Sequence, residues 1–162
     1  MRVEADKDYL VCDYCRRIHV PDKDNDGIRI LGEMTPSEGF VECPVCQLPL
    51  VHAALDGERI LYCRQCRGML ISMDIFSPLI EDLRSRRDGP SELIRPLDSS
   101  ELDRRARCPQ CRHQMISHVY GGGGNVVVSS CEQCAAVWLD HGELDRIVRA
   151  PDRQFSLGLQ VN

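Results

Sequence analysis

Ten cysteines constrain this chain more than any other feature, because all of them fall in C-x-x-C pairs: Cys12/Cys15, Cys43/Cys46, Cys63/Cys66, Cys108/Cys111 and Cys131/Cys134. Two intervening residues let both sulfurs face one ion from a tight turn, and two such turns supply four thiolates at tetrahedral corners. Sixteen residues separate Cys46 from Cys63 and nineteen separate Cys111 from Cys131, within the C-x2-C-x15–20-C-x2-C spacing of zinc sites. The eight cysteines from Cys43 to Cys134 are therefore expected to hold two Zn2+ ions.

Composition agrees. In 162 residues only 5% are aromatic, with a single Trp, and small modules this poor in large apolar side chains need disulfides or metal to hold a fold. No apolar run reaches the roughly 18 residues of a membrane span, and residues 1–15 show no signal-peptide pattern. The expectation is a cytoplasmic protein without a membrane contact, where paired thiols serve metal or redox work rather than structural disulfides.

The two four-cysteine blocks repeat one another. Each opens with Cys-Pro-x-Cys and continues with an apolar stretch (48–55 and 115–120). A turn follows, Asp56-Gly57 or Gly121 to Gly124, then a second short strand (59–62 and 125–130) that reaches the second cysteine pair. Asp-Gly and Gly-Gly suit hairpin turns because they accept positive φ. The expected fold is a small metal-bound α+β protein: tandem zinc ribbons with rubredoxin-like knuckles and β-hairpins, each followed by a short helix. The second helix carries a capping pattern, Asp140 with Glu143 three residues on, and a stripe of Leu144, Ile147 and Val148. In the first, Pro78 requires either a start at Ser77-Pro78 or a kink. Trp138 is read as cover for the ribbon, with a stacking platform for a base or peptide as the alternative.

The run from Cys108 to Ile147, "CPQC…CEQCAAVWLDHGELDRI", resembles the small bacterial zinc ribbons named after transcription factor IIB. Their pattern is Cys-Pro-x-Cys, a hairpin, Cys-x-x-Cys-Gly-Gly, then Trp-Leu-Asp-x-Gly-Glu-Leu. The resemblance implies zinc at Cys108, Cys111, Cys131 and Cys134. The block from Cys43 matches in part: it keeps four cysteines and Gly68, but has Leu70-Ile71-Ser72 for Trp-Leu-Asp. In the second block Ala135-Ala136 replaces Gly-Gly. The family name records a fold and assigns no activity.

Cys12 and Cys15 have no obvious partner pair. His19 is a candidate third ligand, with a carboxylate or another chain completing a third zinc site. Pairing with Cys43/Cys46 and a metal-free or oxidised pair are the other readings. Residues 22–33, from Asp22 to Glu33, match a calcium-loop pattern, but Pro21 and Pro36 flank them, and Ile18/Val20 and Ile28/Ile30 alternate like two strands. An acidic hairpin is the preferred reading.

The expected organisation is an N-terminal C-x-x-C segment with that hairpin (1–40), a first ribbon and helix (41–87), a linker (88–107), a second ribbon and helix (108–150) and a tail (151–162). Within the linker, the residues from Asp98 to Glu101 are a helix cap, with the helix ending at Arg107. Two arginine clusters, Arg84/Arg86/Arg87 and Arg104/Arg105/Arg107, are candidate nucleic-acid contacts. Against them stand a net charge of −5 and a pI near 5.5, where nucleic-acid modules usually show a basic face and a high pI. Four thiolates leave zinc no open position for water. A non-catalytic adaptor with a protein partner is therefore expected, with a nucleic-acid-binding regulator and a thiol redox switch as the alternatives.

Overall fold

The structure is a computed structural model that describes residues 2–3, 10–15, 18–19, 27–35, 37, 39, 41–121 and 124–151. The first ribbon contributes β5 (Val51–Leu55), β6 (Glu58–Tyr62) and β7 (Met69–Ser72), followed by α1 (Met73–Ser85). The second contributes β8 (Ile116–Val119), β9 (Val127–Cys131) and β10 (Ala136–Leu139), followed by α2 (Glu143–Arg149). Asp56 and Gly57 close the first hairpin with φ of 50° and 89°, the doubly positive turn that matches strand twist.

Each ribbon is thus three-stranded. The third strands, β7 and β10, pair antiparallel with each other and fuse both ribbons into one seven-stranded sheet, together with β4 (Ile28–Glu33), in the order β4-β5-β6-β7-β10-β9-β8. Leu70 pairs with Trp138, Met69 with Leu139 and Ile71 with Val137. Leu70 and Trp138 each stand four residues after the last cysteine of their ribbon, so the repeat is also a local two-fold, and its axis passes between them.

Both faces of these central strands are buried, which is why they read as unbroken apolar runs rather than alternating ones. Met69, Ile71, Val137 and Leu139 face a core closed by Phe76, Leu79, Ile80 and Ile147 of the two helices. Leu70, Ala136 and Trp138 face the opposite side, where they pack with Leu50, Met115 and the ribbon cysteines. The helices cross-link the ribbons on their own side: Phe76 meets Tyr120 edge-on at 5.5 Å. Arg84 of α1 and Arg87, just beyond its C-terminus, donate to the Ala150 carbonyl at 2.7 and 3.2 Å, and Arg87 also to that of Val148. Those carbonyls are left over at the end of α2, where cations are favoured.

Several local expectations change. α1 begins at Met73 and runs through Pro78, so the start at Ser77-Pro78 is overturned: the apolar Phe76, Leu79 and Ile80 all bury from this register, and burial outweighs one missing N–H. α2 begins at Glu143, after Gly142 in the left-handed region. The Glu143 carboxylate does reach back to the Asp140 N–H at 2.8 Å, as the capping pattern requires. The Asp140 side chain instead accepts from the Trp138 indole N–H at 2.9 Å. The linker helix is a single 3-10 segment, Ser99–Asp103, capped by Asp98, and it stops short of Arg107.

The two strands flanking the acidic segment belong to different sheets. β3 (Ile18–His19) joins β1 (Arg2–Val3) and β2 (Leu10–Val11), whereas β4 pairs with β5. The small sheet rests on the tip of the first hairpin, through Val11 and Ile18 against Ala54 and Leu31 and a hydrogen bond from the Ile18 N–H to the Gly57 carbonyl at 2.8 Å.

Candidate metal centres

Each cysteine pair of the ribbons lies on a knuckle built mainly by the backbone. In three of the four, the N–H of the first cysteine (Cys43, Cys63, Cys108) donates to the carbonyl five residues on (Leu48, Gly68, His113). The residue after the second cysteine (Gln47, Arg67, Arg112) donates back to the first, all at 2.8–2.9 Å. The knuckle of Cys131 is held instead by Ala135 N–H to the Glu132 carbonyl at 3.3 Å. In all four, the residue after the second cysteine is left-handed: φ is 60° at Gln47, 59° at Arg67, 64° at Arg112 and 47° at Ala135. None is glycine, so each is strained, and Ala135 in place of the usual glycine keeps the knuckle shape at that cost.

These knuckles gather two sets of four sulfurs, Cys43/Cys46/Cys63/Cys66 and Cys108/Cys111/Cys131/Cys134, each with all its ligand atoms within 4.8 Å of one another. Cys43 and Cys66 sulfurs are 3.5 Å apart, as are those of Cys111 and Cys131. A disulfide would need about 2.05 Å, and all ten cysteines are free. A tetrahedron with metal–sulfur bonds of about 2.3 Å has edges of about 3.8 Å. Backbone N–H groups of Val45 and Cys46 point at the Cys43 sulfur from 3.4 and 3.3 Å, ready to share a thiolate's charge. The two tetrads therefore fit two zinc sites.

Electrostatics within each set calls for a cation. Burial pushes the Cys43 and Cys66 thiols up to about 11 and Cys134 up to about 12. Cys111 moves the other way, to about 6, because the His113 N–H faces its sulfur. Four neighbouring thiolates repel one another, and a divalent ion reverses that repulsion and displaces the protons.

Both tetrads open onto the same buried layer, with Leu70 and Trp138 between them. Trp138 is 1% exposed, so the stacking-platform reading is overturned and the indole is a packing element. Gly68 makes its position possible: a Cβ there would lie 2.3 Å from Trp138 Cζ2. Below, Arg104 donates to Asp140 at 2.8 Å and to the 2%-exposed Glu143 at 2.7 Å. Burial raises the pKa of Glu143, opposed by Arg104. Sequence reading passed over this network; the chain separation of 39 residues between Arg104 and Glu143 hides it.

The other candidate residues are placed as follows. Cys12 is half-buried and Cys15 exposed. Pairing them with Cys43/Cys46 is excluded, because those sulfurs converge on Cys63 and Cys66. The His19 side chain lies outside the described residues, as do residues 22–26 of the calcium-loop candidate. Its described end is strand, and the Glu33 carboxylate pairs with Arg64. Of the six arginines, Arg84 and Arg87 hold the α2 terminus, Arg86 pairs with Asp56 and Asp82, and Arg104 is held by carboxylates. Arg107 reaches the Arg112 carbonyl, and Arg105 is exposed. Among the described residues no helix is long and apolar enough to cross a membrane.

The family model described as "Transcription factor zinc-finger", a TFIIB-type zinc ribbon, matches the chain twice, over residues 42–81 and 107–150. Together the matches cover 84 of 162 residues. Neither the curated proteins nor the solved structures yield a significant match.

Proposed function

The chain belongs to the transcription factor zinc-finger family through both of its ribbons, and on that premise we propose that it is a zinc-loaded, non-catalytic adaptor that docks a protein partner in the cytoplasm. The observation that carries this reading is the pair of complete four-cysteine sets on one sheet. Four thiolates fill a tetrahedral zinc shell and leave no position at which water or substrate is activated. Zinc is favoured over other ions by the all-sulfur donor set and tetrahedral spacing. Its binding supplies folding energy of about 10–16 kcal/mol in zinc-finger peptides near neutral pH.

A protein partner is favoured over nucleic acid by charge. The net charge is −5, and five of the six clustered arginines are engaged by carboxylates or carbonyls of the chain itself, the exposed Arg107 only through a long 3.4 Å hydrogen bond. Binding to phosphate backbones needs free cations and weakens steeply with salt. The nucleic-acid reading rests on the family name and on Arg105 and Arg107.

Elemental analysis and fluorescence anisotropy test the proposal together. The expected outcome is zinc in both tetrads, slow labelling of the ribbon thiols while metal is bound, and no salt-dependent binding of labelled DNA or RNA at low salt. Salt-sensitive nucleic-acid binding that is lost in Arg105→Gln/Arg107→Gln would replace the protein-adaptor reading. Fast disulfide formation in the metal-loaded protein would replace it with a redox switch.

A further inference from the structure

We propose that Cys12 and Cys15 are half of a third metal site, completed by the same two cysteines of a second copy of this chain, so that one thiophilic divalent cation joins two chains. The inference goes beyond the adaptor reading and shares with it only the type of metal.

The turn between the two cysteines is already formed. Cys12 directly follows β2 and residues 13–15 turn, as 44–46 turn after Cys43, 64–66 after Cys63 and 109–111 after Cys108. The N–H groups of Tyr14 and Cys15 face the Cys12 sulfur, as those of Val45 and Cys46 face Cys43. In the turn that joins the two cysteines and in the N–H groups that face the first sulfur, Cys12/Cys15 matches the ribbon pairs.

The pair is also open outward. Tyr14 is 98% exposed and Cys15 is exposed, whereas each ribbon tetrad has two buried members. Among the described residues the only groups of three or more metal-binding side chains are the two tetrads, so none includes Cys12 or Cys15.

The ribbon cysteines are out of reach. The small sheet docks at the Asp56-Gly57 tip of the first hairpin. The first tetrad sits at the other end of β5 and β6, where Cys63 follows Tyr62, and five residues of strand span about 17 Å. Structural zinc takes four ligands. A two-fold axis through the ion brings an identical pair from a second copy and closes the shell, and a two-fold contact stops at two chains.

Native mass spectrometry and metal analysis of the full chain, reconstituted with zinc under reducing conditions, test this. The expected species is a dimer with about 2.5 ions per chain. Cys12→Ser/Cys15→Ser leaves both tetrads intact and is expected to give a monomer with about 2 ions per chain. In the unmodified protein, a mild chelator is expected to remove the shared ion first and dissociate the dimer in the same step, which requires no variant to fold. A monomer with about 3 ions would place the remaining ligands within one chain and overturn the proposal. So would about 2 ions per chain, or a dimer that survives the double substitution.

Discussion

Leu70 and Trp138 occupy the same position in their two ribbons and pair with each other across the β7–β10 boundary. The indole of Trp138 extends over Gly68, two residues before Leu70, so one half of the repeat keeps a glycine where the other keeps a tryptophan's neighbour, Ala136. The two metal centres flank this contact on one layer, and it couples their ribbons into one platform.

Gly68→Ala is expected to disrupt that contact. The new methyl would stand 2.3 Å from Trp138 Cζ2, and overpacking of a filled core costs about 1–3 kcal/mol. Urea unfolding at fixed zinc should show the loss. Repeating the substitution in a Trp138→Leu background should cost less than in the native chain, and an equal cost would dissociate Gly68 from the indole.

Arg104→Met leaves Glu143 buried without its cation. Removing one member of a buried pair costs about 3–5 kcal/mol, and the quarter exposure of Arg104 places the expected loss toward the lower bound. Arg104→Met/Glu143→Gln should recover part of it. The sign of the pH dependence follows from the raised pKa of Glu143. Below the ordinary carboxyl value the group is protonated in both states and burial carries no charge penalty. As pH rises toward the raised folded value, the folded state holds its proton longer than the unfolded one, and stability falls. Without Arg104 the fall should steepen, so the variant's deficit should grow as pH rises above the ordinary carboxyl value, with zinc saturating.

Ala135→Gly is expected to stabilise the protein. Ala135 sits at φ 47°, a left-handed conformation that costs an ordinary residue about 1–2 kcal/mol; the greater freedom of glycine in the unfolded chain offsets part of the gain. Arg67→Gly, at φ 59°, should act alike. A decrease in the urea midpoint for both would mean that the knuckles are not strained there.

Zinc removal is expected to unfold both ribbons together. Chelation should abolish near-ultraviolet dichroism from Trp138 and expose the eight ribbon thiols to labelling. Release should steepen as pH falls, because several thiols take up protons when the ion leaves. Protein that keeps its thiols protected after complete chelation would contradict the dependence of the core on metal.

Arg84→Gln/Arg87→Gln tests whether these arginines serve the fold. They donate to the carbonyls of Val148 and Ala150, and hydrogen bonds from charged groups are worth about 1.5–3 kcal/mol. Faster backbone exchange in α2 is expected, with nucleic-acid affinity unchanged.

Much of this was legible from the chain. Cysteine spacing identified the two tetrads, and turn chemistry at Asp56-Gly57 identified the first hairpin. The apolar periodicity of Leu144, Ile147 and Val148 identified the second helix. Met69 to Ser72 and Ala136 to Leu139 were not read as strands: four-residue apolar runs buried on both faces carry no alternation to mark their period. The cap at Asp140 was half right, because the side chain expected to cap the helix is drawn away by Trp138 and Arg104.

Local chemistry therefore determined where sulfur meets metal, since two-residue spacers and left-handed knuckles are properties of a few consecutive residues. How the ribbons meet was decided only in three dimensions. Pairing of β7 with β10, Trp138 over Gly68 and Arg104 beneath Glu143 each join segments far apart in the chain, and their energies come from burial and charge that exist only after both ribbons have come together.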